Sequence, residues 1–260
     1  MEISIMKRRI RNTGLVAALL TAATLPGTAL AEPHDGQWHI DGELYLWGAG
    51  ADITMASGQD VEVDFDEVLS DLELAFMGVL GARKDRWSVF GDVMFIGVDA
   101  SETVPVTIPP NTTPVDAVVS IEQDAWIVTI GGGYELKSTS NSNIDFLGAI
   151  RYFDLSTDLK VDLGGKNVGT LHDSSDVTDV VVGIKGRAGL GHSWILGYYA
   201  DVGAGGSDLT YQALIDINYQ FNKVALGVGY RFLKWELDGK GALDDFQVSG
   251  PFAGILYRFK

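Results

Sequence analysis

Two short stretches hold residues able to do nucleophilic chemistry: "HDS", with His172 and Ser174, and "GHS", with His192 and Ser193. A serine attacks only when a base lies at hydrogen-bond reach and a third group orients that base. The residues that follow the first pair, "VVGIKGR", include no glutamate to fill the third role, and His192 falls in a short turn. Two acidic runs, "DVEVDFDEVLSD" at 60–71 and "HDSSDVTD" at 172–179, offer carboxylates to Ca²⁺. Neither keeps the glycine at the sixth place and the glutamate at the twelfth that a twelve-residue calcium loop requires, so solvated acidic loops are the simpler expectation. With no cysteine there is no disulfide and no thiolate metal site. No phosphate-cradling loop, dinucleotide fingerprint or zinc motif is present, so no metal and no cofactor is expected.

The larger set of chemistry-bearing residues is ionic and periodic: Asp41, Glu43, Glu73, Asp92, Arg151, Asp179, Lys185, Arg187, Asp201, Asp216 and Arg231. Each lies in a stretch whose alternate positions are apolar. In "LTYQALIDINYQF" (209–221) one set of alternate residues is greasy and fringed by aromatics, and the other is almost wholly polar. Alternation with period two places the two sets on opposite faces of a strand. Charges gathered on one enclosed face must pair. They would form a salt-bridge network that fills a lumen, or line a narrow conduit or pocket that selects a solute.

The same pattern recurs over ten predicted strands: 37–49, 72–83, 86–99, 118–137, 143–155, 177–190, 193–203, 209–221, 222–236 and 246–259. The count ranges from 8 to 12, because 156–175 has room for a further hairpin. Connectors alternate as well. "RKDR", "KSTSNSN", "LGHS" and "QFNK" are short, whereas 50–71, 100–117, 156–176 and 237–245 read as longer loops; "GAGGSD" at 203–208 breaks the rule. Within the first, "FDEVLSDLE" reads as one or two helical turns at the lumen mouth.

Short turns on one rim and long loops on the other are the layout of an up-and-down transmembrane β-barrel, and an even strand number brings both termini to the short-turn rim. Aromatics near the ends of the greasy faces form a candidate girdle: Trp87, Trp126, Trp194, Tyr211, Tyr219, Phe221, Tyr230, Tyr257 and Phe259. Those faces carry almost no charge, and an Arg or Lys at a bilayer midplane costs about 2–4 kcal/mol. A secreted β-sandwich or lipocalin-like barrel is the competing architecture.

The N-terminus has the form of a secretory signal peptide. "MKRRIRNTG" is basic, "LVAALLTAATL" is an apolar core too short to anchor, and "TALA" supplies small residues at Ala29 and Ala31, so cleavage is expected after Ala31. This gives a signal peptide at 1–31 and a single barrel domain at 32–260. Cleavage removes four basic residues and one acid from a chain of net charge −16, leaving 15 basic and 34 acidic residues and a net charge of −19. Such a chain repels nucleic acid.

Several stretches together resemble a widespread group of uncharacterised Gram-negative outer-membrane β-barrel proteins. They are "LYLWGAGADITM", "VDFDEVLSDLELAFMGVLGARKDRWSVFGDVMFI", "FLGAIRYFDLSTDL", "DVGAGGSDLTYQALIDINYQF", "LGVGYRFLKWEL" and "GPFAGILYRF". The likeness spans nearly the whole chain after residue 31. It implies the fold and an outer-membrane location, but no catalytic residue. Two departures stand out. Val177 and Val180 occupy the places of Trp and Pro in a Trp-x-Asp-Pro step before the sixth strand, and Lys260 follows the terminal aromatic. His172 and Ser174 are also loosely similar to the His/Ser pair of lipid A deacylase barrels, without their glutamate. No Asp/His set matches the outer rim of omptin proteases.

These readings predict an outer-membrane barrel with a charge-lined narrow lumen, acting as a structural or ligand-binding protein or as a small cation-favouring pore. A lipid-modifying hydrolase built on His172 and Ser174, and a surface protein acting through its loops, are the alternatives. The expected partners are outer-membrane lipids and, during biogenesis, the barrel-assembly machinery.

Overall fold

β-Branched and aromatic residues alternate with polar ones along most of the chain, and in the computed structural model these stretches form antiparallel strands. The structure describes residues 34–55, 60–63, 72–106, 115–237 and 243–259. The expected signal peptide and most of the helical turns expected at 65–73 lie outside them; the last two residues of that stretch, Leu72 and Glu73, are strand rather than helix.

The strands are β1 (His39–Trp47), β2 (Gly50–Met55), β3 (Asp60–Val63), β4 (Leu72–Lys84), β5 (Trp87–Val106) and β6 (Val115–Ser138). They continue with β7 (Ser142–Leu163), β8 (Lys166–Gly191), β9 (Trp194–Gly205), β10 (Leu209–Phe221), β11 (Val224–Glu236) and β12 (Leu243–Arg258). Neighbours in sequence pair in order from β4 to β12, and β1 pairs with both β4 and β12, which closes the sheet into a barrel. β1 and β2 pair with β12 in one continuous register, Trp47 opposite Phe252 and Gly50 opposite Ser249. They are two halves of one barrel strand, so the barrel has ten strands. β3 folds back on β2 beyond it.

The interruption at Gly48 and Ala49 has a simple cause. Gly48 N–H donates to the Pro251 carbonyl at 2.8 Å, but Pro251 has no N–H to return the second bond of that pair.

Short turns close one rim, where the first barrel strand begins and the last one ends: Asp41 pairs with Arg258. Asp85, His192 and Asn222 each take a positive φ of 50–55° at the first turn residue, a conformation that Asp, His and Asn tolerate better than most. At the opposite rim the strands differ in length. The stretch 156–176, expected to be a loop, is the outer part of β7 and β8, joined by Gly164–Gly165 with φ of 56° and 78°. Two consecutive positive φ values make the tight hairpin turn that glycine favours. Leu159, Val161 and Leu163 alternate with Asp158, Lys160 and Asp162 along β7, but the β8 arm is largely polar on both faces and two glycines join them, so the stretch looks like a loop. Much of 100–117 is likewise strand, and β5–β8 rise as a four-stranded wall above the barrel.

Outward side chains form an apolar belt that includes Leu44, Leu80, Ile130, Ile150, Val180, Ile215, Val228 and Ile255. Inward side chains divide into two layers. In six strands an inward polar residue is followed, on the side away from the short turns, by an inward apolar one. The steps are Tyr45 to Trp47, Asp92 to Met94, Thr129 to Ile127, Arg151 to Phe153, Asp179 to Val177 and Arg231 to Leu233. With Trp235, Phe246 and Val248 these apolar residues pack into one buried cluster inside the barrel. Phe153 packs against both Trp235 and Phe246, with ring centroids 4.7 and 4.9 Å away and interplanar angles of 25° and 19°, and those two rings lie 5.9 Å from each other. Phe153 and Trp235 are 0% exposed. Asp179 apart, the charge-lined interior expected from the sequence therefore lies, among the described residues, in the half of the lumen nearer the short turns. A hydrophobic plug fills the next layer.

Candidate functional site

Directly beneath the plug lies a buried polar floor. Arg231 donates to Asp92 Oδ2 at 2.9 Å, to Gln212 Oε1 at 2.8 Å and to the Tyr45 hydroxyl at 2.8 Å; that hydroxyl donates in turn to Asp92 Oδ1 at 2.8 Å. Arg151 pairs with Asp201, which also accepts from the Tyr199 hydroxyl, and donates to Thr210 Oγ1 at 3.2 Å. Gln212 Oε1 takes a second bond from Arg151 at 3.5 Å, which ties the two arginine networks together. Ten strands closing on one another bring these residues together from β1, β5, β7, β9, β10 and β11. Separations of up to 186 residues in sequence become contacts of under 3 Å. The guanidinium of Arg231 also lies 5.2 Å from the centroid of the Trp47 ring, joining floor to plug.

Nearer the short-turn rim a third cluster forms. Arg83 pairs with buried Asp145 and stands 3.5 Å from Glu135, whose other oxygen meets His34 Nε2 at 3.0 Å. Arg86 donates to the Glu135 carbonyl at 2.8 Å. The chain before β1 is thereby held across the rim, and there Asp35 accepts from the Gln37 N–H at 2.8 Å and meets the His39 ring at 3.1 Å. The Gln37 bond, followed by the His39 ring, holds the Asp35 carboxyl below the usual carboxylate range.

Between floor and rim lies a cavity of about 260 Å³. Its wall includes Asp41, Glu43, Ser88, Phe90, Lys185 and Asp216. Asp41 is met by Arg258 at 3.2 Å and by Arg187 at 3.8 Å, and Lys185 Nζ sits 4.4 Å over the Phe90 ring. Asp216 accepts from the Asn218 side-chain amide and the Gly197 N–H, both neutral donors. Among the described residues Glu43 makes no hydrogen bond and no ion pair; its nearest charges are those of Asp216, Asp92, Arg187 and Arg231.

Of the sequence-derived charge set, Arg151, Asp201, Asp92 and Arg231 meet in the floor, while Asp41, Glu43, Lys185, Arg187 and Asp216 line the cavity. Asp179 does neither: its Oδ1 accepts the Ser207 N–H at 2.8 Å and braces the 205–208 turn at the far rim. The Glu73 side chain lies outside the described residues. Sequence reasoning left out the Arg83–Asp145–Glu135 cluster. Glu135 and Asp145 sit at inward positions of recognisable strands, but "RKDR" reads as a turn, and that hid Arg83. The neutral partners Tyr45, Tyr199 and Gln212 were also left out, because only the closed barrel shows which hydroxyl or amide faces which charge.

His172 and Ser174 occur on the exposed outer part of β8. His172 Nδ1 meets Asp158 Oδ1 at 3.0 Å, across from it on β7, but among the described residues no hydrogen bond joins His172 to Ser174. His192 is the positive-φ residue of an exposed turn. The outward aromatics group at two levels. Trp87 contacts Tyr134 (4.8 Å) and Trp194 contacts Tyr219 (4.9 Å), with Phe221, Tyr257 and Phe259 near the short turns. Higher up, Phe95 contacts Trp126 (4.6 Å) and Tyr211 contacts Phe232 (5.6 Å), and Tyr230 stands one strand step below that second level.

No protein-family profile matches the chain, and no curated protein matches it. Among solved structures, the outer membrane protease OmpT of Escherichia coli is similar at 9% identity and a TM-score of 0.48, over 85% of this chain and 97% of that one. The translocator domain of the autotransporter NalP of Neisseria meningitidis is similar at 11% identity and a TM-score of 0.43, over 90% and 89%. The attachment invasion locus protein Ail of Yersinia pestis is similar at 11% identity and a TM-score of 0.34, over 85% and 98%. These likenesses transfer no residue role to this chain.

Proposed function

We propose that the protein is an outer-membrane β-barrel of a Gram-negative bacterium that does not conduct solutes, and whose charged inner cavity, opening toward the short-turn rim, binds a ligand. The observation that carries this reading is the buried trio of Trp235, Phe153 and Phe246, in mutual ring contact inside the lumen above a floor in which Arg151 and Arg231 each pair with a carboxylate. A porin needs a continuous wet path, and a close-packed apolar layer removes it. The location is supported by the uncharged outward belt between two aromatic levels and by the short-turn rim where the first barrel strand begins and the last one ends. In this placement the signal peptide is removed after Ala31, the belt contacts outer-membrane lipids, and the barrel-assembly machinery inserts the chain with its short turns in the periplasm. Purified protein in planar lipid bilayers should be electrically silent. Sustained single-channel steps of either ion preference would overturn the plugged reading in favour of a small pore.

A second reading has its own observation. The wall formed by β5–β8 extends beyond the barrel, and among the described residues the outer part of β8 is unpaired on one side, since β9 pairs with it only from Asp179 on. A free strand edge is a surface to which another chain adds. The surface-interaction role is therefore kept as an alternative that the hairpin deletion described below tests.

A further inference from the structure

The carboxylates of the inner cavity are not equivalent. Asp92 has Arg231, Asp145 has Arg83, and Asp41 has Arg187 and Arg258. Among the described residues Glu43 and Asp216, on β1 and β10, have no cation in contact; the charge of Asp216 reaches Glu43, and Arg187 acts on both only from a distance. Both lie largely inside the barrel, where water screens charge less than at a surface. Two such carboxylates facing one cavity are costly unless something positive enters it.

An independent sign of an absent partner occurs in the same cavity wall. Ser88 is 6% exposed, and among the described residues its Oγ, which can accept from an ammonium, has no hydrogen-bond partner. Buried polar atoms in folded proteins are nearly always satisfied by protein, water or ligand. Phe90, Tyr199 and Phe252 give the cavity aromatic surface, and Phe90 already receives the Lys185 ammonium at 4.4 Å. Aromatic faces attract cations.

We infer that the cavity is a binding site for a small organic cation of the primary-amine class, its ammonium group held between Glu43 and Asp216. The inference rests on the proposed reading of a cavity closed on the long-strand side. An ammonium has three donors, enough for both carboxylates and for a hydroxyl acceptor such as Ser88 Oγ. A neutral or anionic molecule of the same length leaves the two carboxylates uncompensated. The volume of about 260 Å³ admits a short chain but not a large sugar or a peptide.

The test is calorimetric titration of the refolded mature chain in lipid nanodiscs with 1,4-diaminobutane, against 1,4-butanediol and succinate as neutral and anionic probes of equal length. The diamine should bind saturably, and both controls should fail. Glu43→Gln and Asp216→Asn should each weaken the diamine at least tenfold. Asp158→Asn, on the outer hairpin, should leave it unchanged. Each variant's heat-modifiable gel mobility reports that the barrel has formed. If Glu43→Gln does not form a barrel, Asp216→Asn carries the test alone. Equal binding of diamine and diol, or undiminished binding by both folded variants, overturns the inference. Conductance of the same preparation reports the plug separately, so a conducting barrel that still binds the diamine would sink only the plugged reading.

Discussion

Individual residues divide the interior by the kind of partner each has. Arg151 and Asp201 are both fully enclosed and bonded to each other, to hydroxyls and to an amide. Removing one member of such a pair strands the other in a low-dielectric interior, at a cost of about 3–5 kcal/mol. Arg151→Met should therefore lower the unfolding free energy by that order, measured by urea titration of tryptophan fluorescence in lipid vesicles. The double variant Arg151→Met, Asp201→Leu should recover much of the loss, because the orphaned carboxylate is gone. If the double variant is as unstable as the single one, packing rather than charge governs the floor. Trp235 represents the other kind of residue. It is wholly buried, stacked on Phe153, and its contribution is apolar contact.

At the scale of elements, the barrel strands and the wall above them follow different rules. Within the barrel each strand has an apolar outward row and a mixed inward row. Above it, the outer part of β8 is largely polar on both faces while that of β7 keeps Leu159, Val161 and Leu163 on one face, and the two hold together through their ladder, the Gly164–Gly165 turn and contacts such as His172 with Asp158. Neither Phe153 nor Val177, the last plug residues on these strands, lies in 156–175. Deleting 156–175 and rejoining the strands with a two-glycine turn should leave heat-modifiable mobility and urea stability close to those of the parent. A barrel that no longer folds would show that the hairpin is structural and would remove the surface-interaction reading for it.

The whole molecule presents two aromatic levels at a constant interval. Trp87 to Phe95, Tyr134 to Trp126 and Tyr219 to Tyr211 are each eight residues apart, and the first two pairs face one another across the β5–β6 ladder. Eight residues at about 3.3 Å each, on strands tilted by about 40°, span roughly 20 Å along the barrel axis. Ile130 lies halfway between Tyr134 and Trp126 and is 64% exposed. If this belt meets hydrocarbon, Ile130→Arg should destabilise the barrel by about 2–4 kcal/mol in a bilayer, read from urea unfolding in vesicles. If it meets water or another protein layer, the same substitution should cost little in vesicles. A mature chain that is soluble and monomeric without detergent would contradict the placement outright.

Alternation by itself determined the all-β architecture, the ten barrel strands, which side chains turn inward, and the rim that gathers the short turns, because each of these depends on a period-two pattern carried by neighbouring residues. It did not separate loop from strand at 156–176, where Leu159, Val161 and Leu163 alternate along β7 but the facing arm of β8 is largely polar on both faces and loses the hydrophobic contrast. Nor did it show that the inward row changes from ionic to apolar at one height. Tyr45 and Trp47, Arg151 and Phe153, Arg231 and Leu233 look like ordinary strand steps when taken one strand at a time. Only closure of the sheet brings those steps together, producing a floor, a plug and a cavity with two carboxylates that, among the described residues, no cation contacts. Pairing between charges more than a hundred residues apart is decided by strand stagger around the barrel, a property of the closed sheet that no single strand contains.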